Sequence, residues 1–147
     1  MIIHKSVIDY VNKQTKKNIL IVTNEDLDIT YLKTKVNIMN QKDFMNHYPK
    51  NAYHYILAWD CLCVGSPLDI FSLLAKMNHN LRDDGEILVT VLKNTNVTEA
   101  NKHIKYFIWD NPRIKAIGWS KGLKVKNKIK QVKIDENKYL RFSYIPS

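Results

Sequence analysis

Residues 53–94 decide the fold, and they read YHYILAWDCLCVGSPLDIFSLLAKMNHNLRDDGEILVTVLKN. The run Tyr53–Val64 is almost continuously apolar, which is typical of a strand buried on both faces. A Gly-Ser turn then leads to Pro67, and proline suits the first turn of a helix because its missing N–H has no partner there. Apolar residues recur at helical spacing up to the stop at Gly85, and Glu86–Leu92 is the next apolar run. The stretch therefore predicts a strand, a helix and a second strand.

The segments before this stretch continue the alternation. Ser6–Lys16 has apolar residues at helical spacing and predicts an amphipathic helix. Asn18–Thr23 (NILIVT) is a β-branched and apolar run that predicts a strand buried on both faces, and Val36–Asn40 predicts a second strand. Gln41–Tyr48 predicts a short helix between that strand and Tyr53.

The sequence after this stretch is richer in strands. Val97–Trp109 predicts a helix that ends before Pro112, and Ile114–Trp119, Leu123–Ile134 and Tyr139–Ile145 each predict a strand. Because only a short polar turn joins the last two strands, they must be antiparallel. The whole order predicts an α/β fold with a mainly parallel sheet, helices on both faces and a C-terminal antiparallel hairpin.

Length and composition predict one globular domain over residues 1–147. Hydrophobic residues make up 45% and charged residues 25%, which argues against a disordered or collagen-like chain. No apolar run approaches the ~20 residues of a membrane span, and the N-terminus lacks the apolar core of a signal peptide. Cys61 and Cys63 are too few for a disulfide framework, and on one face of an apolar strand they are typical of core packing. We therefore expect a cytoplasmic protein with reduced cysteines and no metal site.

The net charge of +9 is concentrated in the last quarter of the chain. Up to Asp110 there are 13 basic and 12 acidic residues, and after it 10 basic and 2 acidic. Four lysines alternate along the strand predicted there, with aromatic residues nearby in sequence: Lys124, Lys126, Lys128 and Lys130. Such a stripe predicts a surface for a polyanion or an acidic protein partner. The other interpretation is a solvated sheet edge whose lysines discourage strand-to-strand aggregation.

The order of motifs in residues 53–94 resembles the second half of the class I S-adenosylmethionine-dependent methyltransferases. In that family a buried strand ends in a residue that faces the active site, and a turn with Asp-Pro or Ser-Pro starts a leucine-rich helix. A Gly-rich turn then precedes a strand of the type LLVSVPN. The resemblance runs from about Asn40 to the C-terminus. It implies a Rossmann-like methyltransferase fold, S-adenosylmethionine as cofactor, and a small molecule or glycan as methyl acceptor.

The same resemblance implies site residues at the ends of the strands. Asp43 falls where the family often has an acidic residue that accepts from the adenine amino group, and Asp60 falls at the tip that contacts substrate or the methionine part of the cofactor. Asp60 and His54 are the expected catalytic residues. We expect His54 and His47 near these strand tips, where either could act as a general base for a substrate hydroxyl or amine; the ordinary alternative for each is a surface or strand residue. The ordinary alternatives are a helix-start residue for Asp43 and a strand-end cap for Asp60. At the tip of the first strand the polar candidates for cofactor binding are Thr23, Asn24, Glu25 and Asp26.

The first half of the chain departs from that family. The family has an acidic residue and a Gly-x-Gly loop directly after the first strand, where glycine lets the backbone approach the cofactor closely. Here NILIVT is followed by NEDLDITYLK, and Gly65 is the first glycine of the protein. Residues 18–40 hold two strands and their connection, whereas one βαβ unit usually takes ~30 residues or more. This interval has no room for the additional strand that, in the family, supplies the acidic residue that binds the ribose. The resemblance therefore leaves two possibilities: the cofactor pocket is rebuilt from other residues, or it is weakened or lost.

Two functions from different classes remain open. The first is an S-adenosylmethionine-dependent methyltransferase whose site lies over the strand tips. The second is a non-catalytic descendant that keeps the fold as a partner subunit or as a polyanion-binding module with a basic C-terminal segment. An open cleft above the strand tips favours the first, and a cleft filled by Tyr31, Met39 or Trp59 favours the second.

Overall fold

Strands and helices alternate along the chain and end in a group of antiparallel strands. The computed structural model describes residues 9, 11–13, 18–23, 36–47, 52–59, 61–62, 67–92, 109–126, 129–134 and 137–147. Within them the elements are β1 (Ile19–Val22), β2 (Asn37–Met39), α1 (Gln41–Met45), β3 (Tyr53–Trp59), α2 (Pro67–Asn80), β4 (Leu81–Leu92), α3 (Asn111–Ser120), β5 (Leu123–Val125), β6 (Lys130–Ile134) and β7 (Asn137–Pro146).

All seven strands of the described residues form one sheet in the order β2-β1-β3-β4-β7-β5, and β6 also pairs with β7. The first four strands in this order are parallel to one another. The last strand, β7, runs antiparallel to β4 on one side and to β5 and β6 on the other. The predicted fold class, an α/β sheet that is mainly parallel with a C-terminal antiparallel hairpin, is confirmed.

Both faces of the sheet are buried. One face, here called the α2 face, contributes Leu20, Val22, Ile56, Ala58, Ile87, Val89, Val91, Phe142 and Tyr144 to the main core. The helices that cover this face contribute Ile70, Leu73, Leu74, Met77, Ile114 and Ile117. The opposite face packs Ile19, Ile21, Leu57, Trp59 and Leu88 around Val11, which is helical as predicted for that part of the chain. Burial on both faces explains why the parallel strands are continuously apolar in sequence.

The strand predicted at Ile114–Trp119 is wrong, because these residues form α3. The side chain of Asp110 accepts a hydrogen bond from the backbone N–H of Arg113 at 2.9 Å and so caps the helix. Pro112 lies in the first helical turn, where it starts a helix instead of marking the end of the preceding one. Ile114, Ile117 and Gly118 are buried at helical spacing against the main core.

The predicted bounds of three strands also needed correction. The strand predicted to reach Val64 ends at Trp59, so Cys61 follows the strand and its side chain is buried in the core. The strand β4 begins at Leu81, five residues before the predicted start. The strand predicted at Leu123–Ile134 is divided into β5 and β6. The predicted helix Val97–Trp109 lies outside the described residues except for its last residue, which is not helical.

Candidate functional site

The carboxyl ends of β1, β2, β3 and β4 share one edge of the sheet, which is where open α/β sheets bind ligands. Thr23 follows β1 directly and is 2% exposed. Its backbone N–H donates to the carbonyl of Met39 at 3.0 Å, so the ends of β1 and β2 are tied together by an ordinary ladder bond. The other three candidates at this tip, Asn24, Glu25 and Asp26, lie outside the described residues.

Asp43 lies in the first turn of α1, the helix that follows β2. The Oδ1 atom of Asn40 accepts from the backbone N–H of Asp43 at 2.7 Å and caps the helix. Asp43 is exposed and lies near the same edge of the sheet. An acidic side chain in the first turn also stabilises the helix by its interaction with the helix dipole. Its position therefore fits both the helix-start role and contact with a ligand above the strand ends.

Asp60 lies outside the described residues, but the two residues after it are held firmly. Cys61 and Leu62 are both buried. The indole Nε1–H of Trp109 donates to the carbonyl of Leu62 at 2.6 Å, and the Trp109 ring lies 5.3 Å from the Phe142 ring. Trp109 thus anchors the segment that follows β3 to the core. Trp109 was not among the residues predicted from the sequence, although a tryptophan directly before an Asp-Asn-Pro helix start is a visible signal.

His54 is the second residue of β3, so it lies at the amino end of the strand. The expectation that His54 lies near the strand tips is wrong, because five residues of extended chain place it ~17 Å from Trp59, the last residue of β3. The structure instead shows the backbone N–H of Asn18 donating to Nδ1 of His54 at 3.4 Å, just before β1 begins. His54 is therefore a residue of the amino edge of the sheet.

His47 belongs to a polar cluster at the same amino edge. Its Nε2 lies 2.8 Å from the hydroxyl of Tyr53, the first residue of β3, and Nδ2 of Asn37 lies 3.5 Å from that hydroxyl. Burial lowers the pKa of His47, and the positive charge of Lys76 lowers it further. Both effects favour the neutral form of the ring, and the cluster lies away from the carboxyl ends of the strands, where His47 was expected.

The basic C-terminal lysines differ in their surroundings. Because the predicted strand is divided into β5 and β6, Lys124 pairs with Ile145 of β7, and Lys130 pairs with Arg141 of β7. Both lysines are exposed. They still share one face of the sheet, because their partners on β7 are four residues apart. Lys126 instead pairs with Glu86 at 3.1 Å, where the Glu86 side chain is only 9% exposed. Lys128 lies outside the described residues.

Three side chains were expected to fill a degenerate cleft. Two of them are packed in the structure, and the third lies outside the described part of the chain. Trp59 is 5% exposed and packs against Leu88 on the opposite face. Met39 is half-buried against the main core, and Tyr31 is not among the described residues. In the described part of the chain, no group of three or more His, Cys, Asp or Glu side chains is arranged to hold a metal ion. No helix in that part is long and apolar enough to cross a membrane.

Comparison with known proteins gives the class of fold. No family model and no curated protein sequence matches the chain. Among solved structures, Burkholderia thailandensis 1,6-didemethyltoxoflavin-N1-methyltransferase, with bound 1,6-didemethyltoxoflavin and S-adenosylhomocysteine, has a TM-score of 0.72 at 10% identity, over 97% of this chain and 77% of that one. A SAM-dependent methyltransferase from Methanosarcina mazei has a TM-score of 0.68 at 6% identity over 100% of both chains. A methyltransferase from Haloferax volcanii, in complex with an activator protein, has a TM-score of 0.68 at 11% identity, over 97% of this chain and 87% of that one.

The chain therefore has the Rossmann-like fold of the S-adenosylmethionine-dependent methyltransferases of class I. This likeness concerns the fold, since the identities of 6–11% are too low to carry an activity from one chain to another.

Proposed function

We propose that the chain is a methyltransferase-like protein that binds S-adenosylmethionine at the carboxyl edge of its sheet, with a weakened site. The observation that carries the proposal is the meeting of the ends of β1, β2 and β3 at one edge, with the exposed carboxylate of Asp43 just after β2. A carboxylate there can accept from an adenine amino group. The structural neighbour from Burkholderia was crystallised with S-adenosylhomocysteine, which agrees with this ligand class.

The residues at the first strand tip fit the cofactor less well, and this is why we propose a weakened site. The backbone N–H of Thr23 is already bonded to Met39, and the protein has no glycine before Gly65 that would let the backbone approach a ligand closely. We expect the polar side chains of Thr23, Asn24, Glu25 and Asp26 to take over this part of the binding.

When bound, S-adenosylmethionine supplies an electrophilic methyl group, and the protein's part is to position the acceptor and exclude water. We propose that Asp60, which follows β3 in the sequence, orients the acceptor, which is a small molecule or a glycan. Trp109 supports that position by holding the carbonyl of Leu62 two residues further on. The position of His54 at the amino edge leaves it out of this proposal as a base.

Calorimetric titration with S-adenosylmethionine and with S-adenosylhomocysteine tests the proposal. We expect both ligands to bind, and Asp43→Ala to weaken binding about tenfold or more, as the loss of a hydrogen bond to a charged group does. The matched control is Asp83→Ala, which removes another exposed carboxylate, at the amino edge of the sheet. Equal binding by the two variants would exclude Asp43 from the site, and a folded protein that gives no heat with either ligand would refute cofactor binding.

The second candidate function is non-catalytic: the chain would be a cytoplasmic, single-domain partner subunit. It is favoured by the tight packing of Trp59 and by the occupied N–H of Thr23, both at the strand ends. The Haloferax neighbour is a methyltransferase in complex with an activator protein, so a protein partner for this fold has a precedent. Failure of both cofactor titrations, together with co-purification of a stoichiometric partner, would support this candidate.

A further inference from the structure

Trp119 is an exposed tryptophan on a helix that buries its other large apolar residues. It is 79% exposed, while Ile114 and Ile117 of the same helix are buried. A single exposed apolar residue is ordinary in a soluble protein. What distinguishes Trp119 is the charge near it in sequence, because residues 111–121 contain three basic residues and no acidic one.

Two lysines near Trp119 have exposed or half-exposed side chains. Lys115 precedes Trp119 by one helical turn, so both lie on the same side of α3 and both are exposed. Lys121 caps the helix, and its Nζ lies 5.6 Å from the centre of the Phe71 ring. Lys124 is also exposed, but it pairs with Ile145 and so lies on the opposite face of the sheet from α3.

Two other cations of this region are engaged with carboxylates. Arg113 lies 3.6 Å from Asp110, and Lys126 lies 3.1 Å from Glu86. On the α3 side of the sheet, the charge that remains for a ligand is carried by Lys115 and Lys121. We call Lys115, Trp119 and Lys121 the Trp119 surface.

We propose that the Trp119 surface binds single-stranded nucleic acid. An exposed indole offers a flat face on which a base can stack, and each lysine can contact a phosphate. A duplex hides the faces of its bases, so it would use the lysines and leave the indole without a role. An anionic membrane would need a larger apolar side than one tryptophan between lysines provides.

The Trp119 surface lies at the amino edge of the sheet. Asn78, near the end of α2, donates from Nδ2 to the carbonyl of Lys121 at 2.8 Å, and α2 leads directly into the amino end of β4. The proposed cofactor site is at the opposite edge, beside Thr23. The nucleic acid is therefore anchored away from the proposed cofactor site, and its binding does not depend on the cofactor.

Tryptophan fluorescence reports on this surface directly, because the other two tryptophans, Trp59 and Trp109, are 5% and 3% exposed. We expect a thymidine homo-oligonucleotide to quench the emission at low salt. In a parallel titration with labelled oligonucleotide, Trp119→Ala should weaken binding about tenfold, equivalent to about 1.4 kcal/mol and within the range for one stacked base. Trp119→Phe should recover part of the affinity because it restores a ring.

The lysines are tested by salt dependence. Each of Lys115→Gln and Lys121→Gln should lower the slope of log affinity against log salt by ~0.7, the value for one phosphate contact of a single strand. The matched control is Lys42→Gln, which removes an exposed lysine on α1 and should leave affinity and slope unchanged. Circular dichroism of every variant checks that it is folded.

Several results would overturn the proposal. One is equal oligonucleotide affinity in the wild type and in folded Trp119→Ala. Another is binding to phosphatidylserine vesicles in the absence of oligonucleotide binding, which would identify a membrane surface. A third is equally tight, Trp119-independent binding of polyglutamate, which would identify a general attraction for acidic polymers.

Discussion

Gly118 lies in the middle of α3 at a point where the helix touches the ring of Tyr144. The ring is fully buried, and its hydroxyl donates to the carbonyl of Ile114 at 2.5 Å. Burial also raises the pKa of Tyr144, so the hydroxyl keeps its proton. A Phe142 ring packs against Tyr144 edge-on, with 5.3 Å between the ring centres. Tyr144 is therefore fixed from two sides, and we predict that Gly118→Ala destabilises the protein.

The cost follows from the distances. A Cβ added to Gly118 would lie 2.3 Å from Cε1 and 2.9 Å from Cδ1 of Tyr144. Carbon atoms settle at ~3.5–4.0 Å, so the helix or the ring would have to move by ~1 Å or more. Overpacking of this kind costs ~1–3 kcal/mol, and so short a contact belongs at the upper end. Alanine regains ~1 kcal/mol over glycine in a helix, which leaves a net loss of about 2 kcal/mol.

Urea unfolding followed by far-ultraviolet circular dichroism measures this loss. Ala116→Gly, on the exposed side of the same helix, reports helix propensity alone and should cost ~1 kcal/mol. In a Tyr144→Leu background the cost of Gly118→Ala should largely vanish, because the ring that it strikes is gone. The reasoning fails if Gly118→Ala stabilises the protein, as propensity alone predicts, or if its cost is the same in both backgrounds.

Three further predictions test polar contacts. The pKa of His47 is lowered in the folded protein, so folding favours the neutral ring. The stability that this contributes is complete above the usual pKa of 6.5 and is lost as the pH falls through the lower pKa of the folded state. His47→Gln should therefore make the urea midpoint less dependent on pH across that range. Lys126→Met leaves the nearly buried Glu86 carboxylate without its partner at 3.1 Å and should cost about 1 kcal/mol in urea unfolding, part of which Glu86→Gln should recover in the double variant. Trp109→Phe removes a buried hydrogen bond and should cost about 1–2 kcal/mol; an unchanged urea midpoint would show that the bond contributes nothing.

The fold was predictable where two local signals agreed. The predicted starts of β3 at Tyr53 and of α2 at Pro67 are confirmed. A continuous apolar run and a proline after a turn are local signals, because each depends on only a few neighbouring residues. The end of α2 was not predictable in the same way. Leu81 pairs with Tyr53 across the sheet, so the chain enters β4 before the Asp-Gly turn that the sequence offers as a stop.

The error at α3 has a different cause. Isoleucine and tryptophan favour strands locally, and the sequence gives no direct sign that Gly118 must receive a ring from a distant strand. The Asp110 cap and Pro112 were the local signals for a helix, and they conflicted with the strand-forming residues after them. Tertiary packing on Tyr144 decides between the two.

The candidate site was less predictable than the fold because it depends on loops. Asp43 could be placed from the end of β2, and its exposed position in a helix start agrees with that placement. His54 was misplaced although the start of β3 at Tyr53 was predicted correctly, because the second residue of a parallel strand lies at the amino edge of the sheet and ligands bind at the carboxyl edge. The predicted start of the strand was therefore sufficient to exclude His54 from the strand tips.

The sheet of this chain forms without a glycine loop after β1. The strands need apolar runs that fill both faces of the sheet, and these are present in β1, β3 and β4. A glycine after β1 serves the approach of a ligand, and the bond from Thr23 to Met39 joins the strand ends without it. A likeness of fold at 6–11% identity therefore reports on packing, which does not require the loop. Cofactor binding is a separate property, and the titrations of Asp43→Ala and Asp83→Ala measure it, with circular dichroism of each variant to compare its fold with that of the wild type.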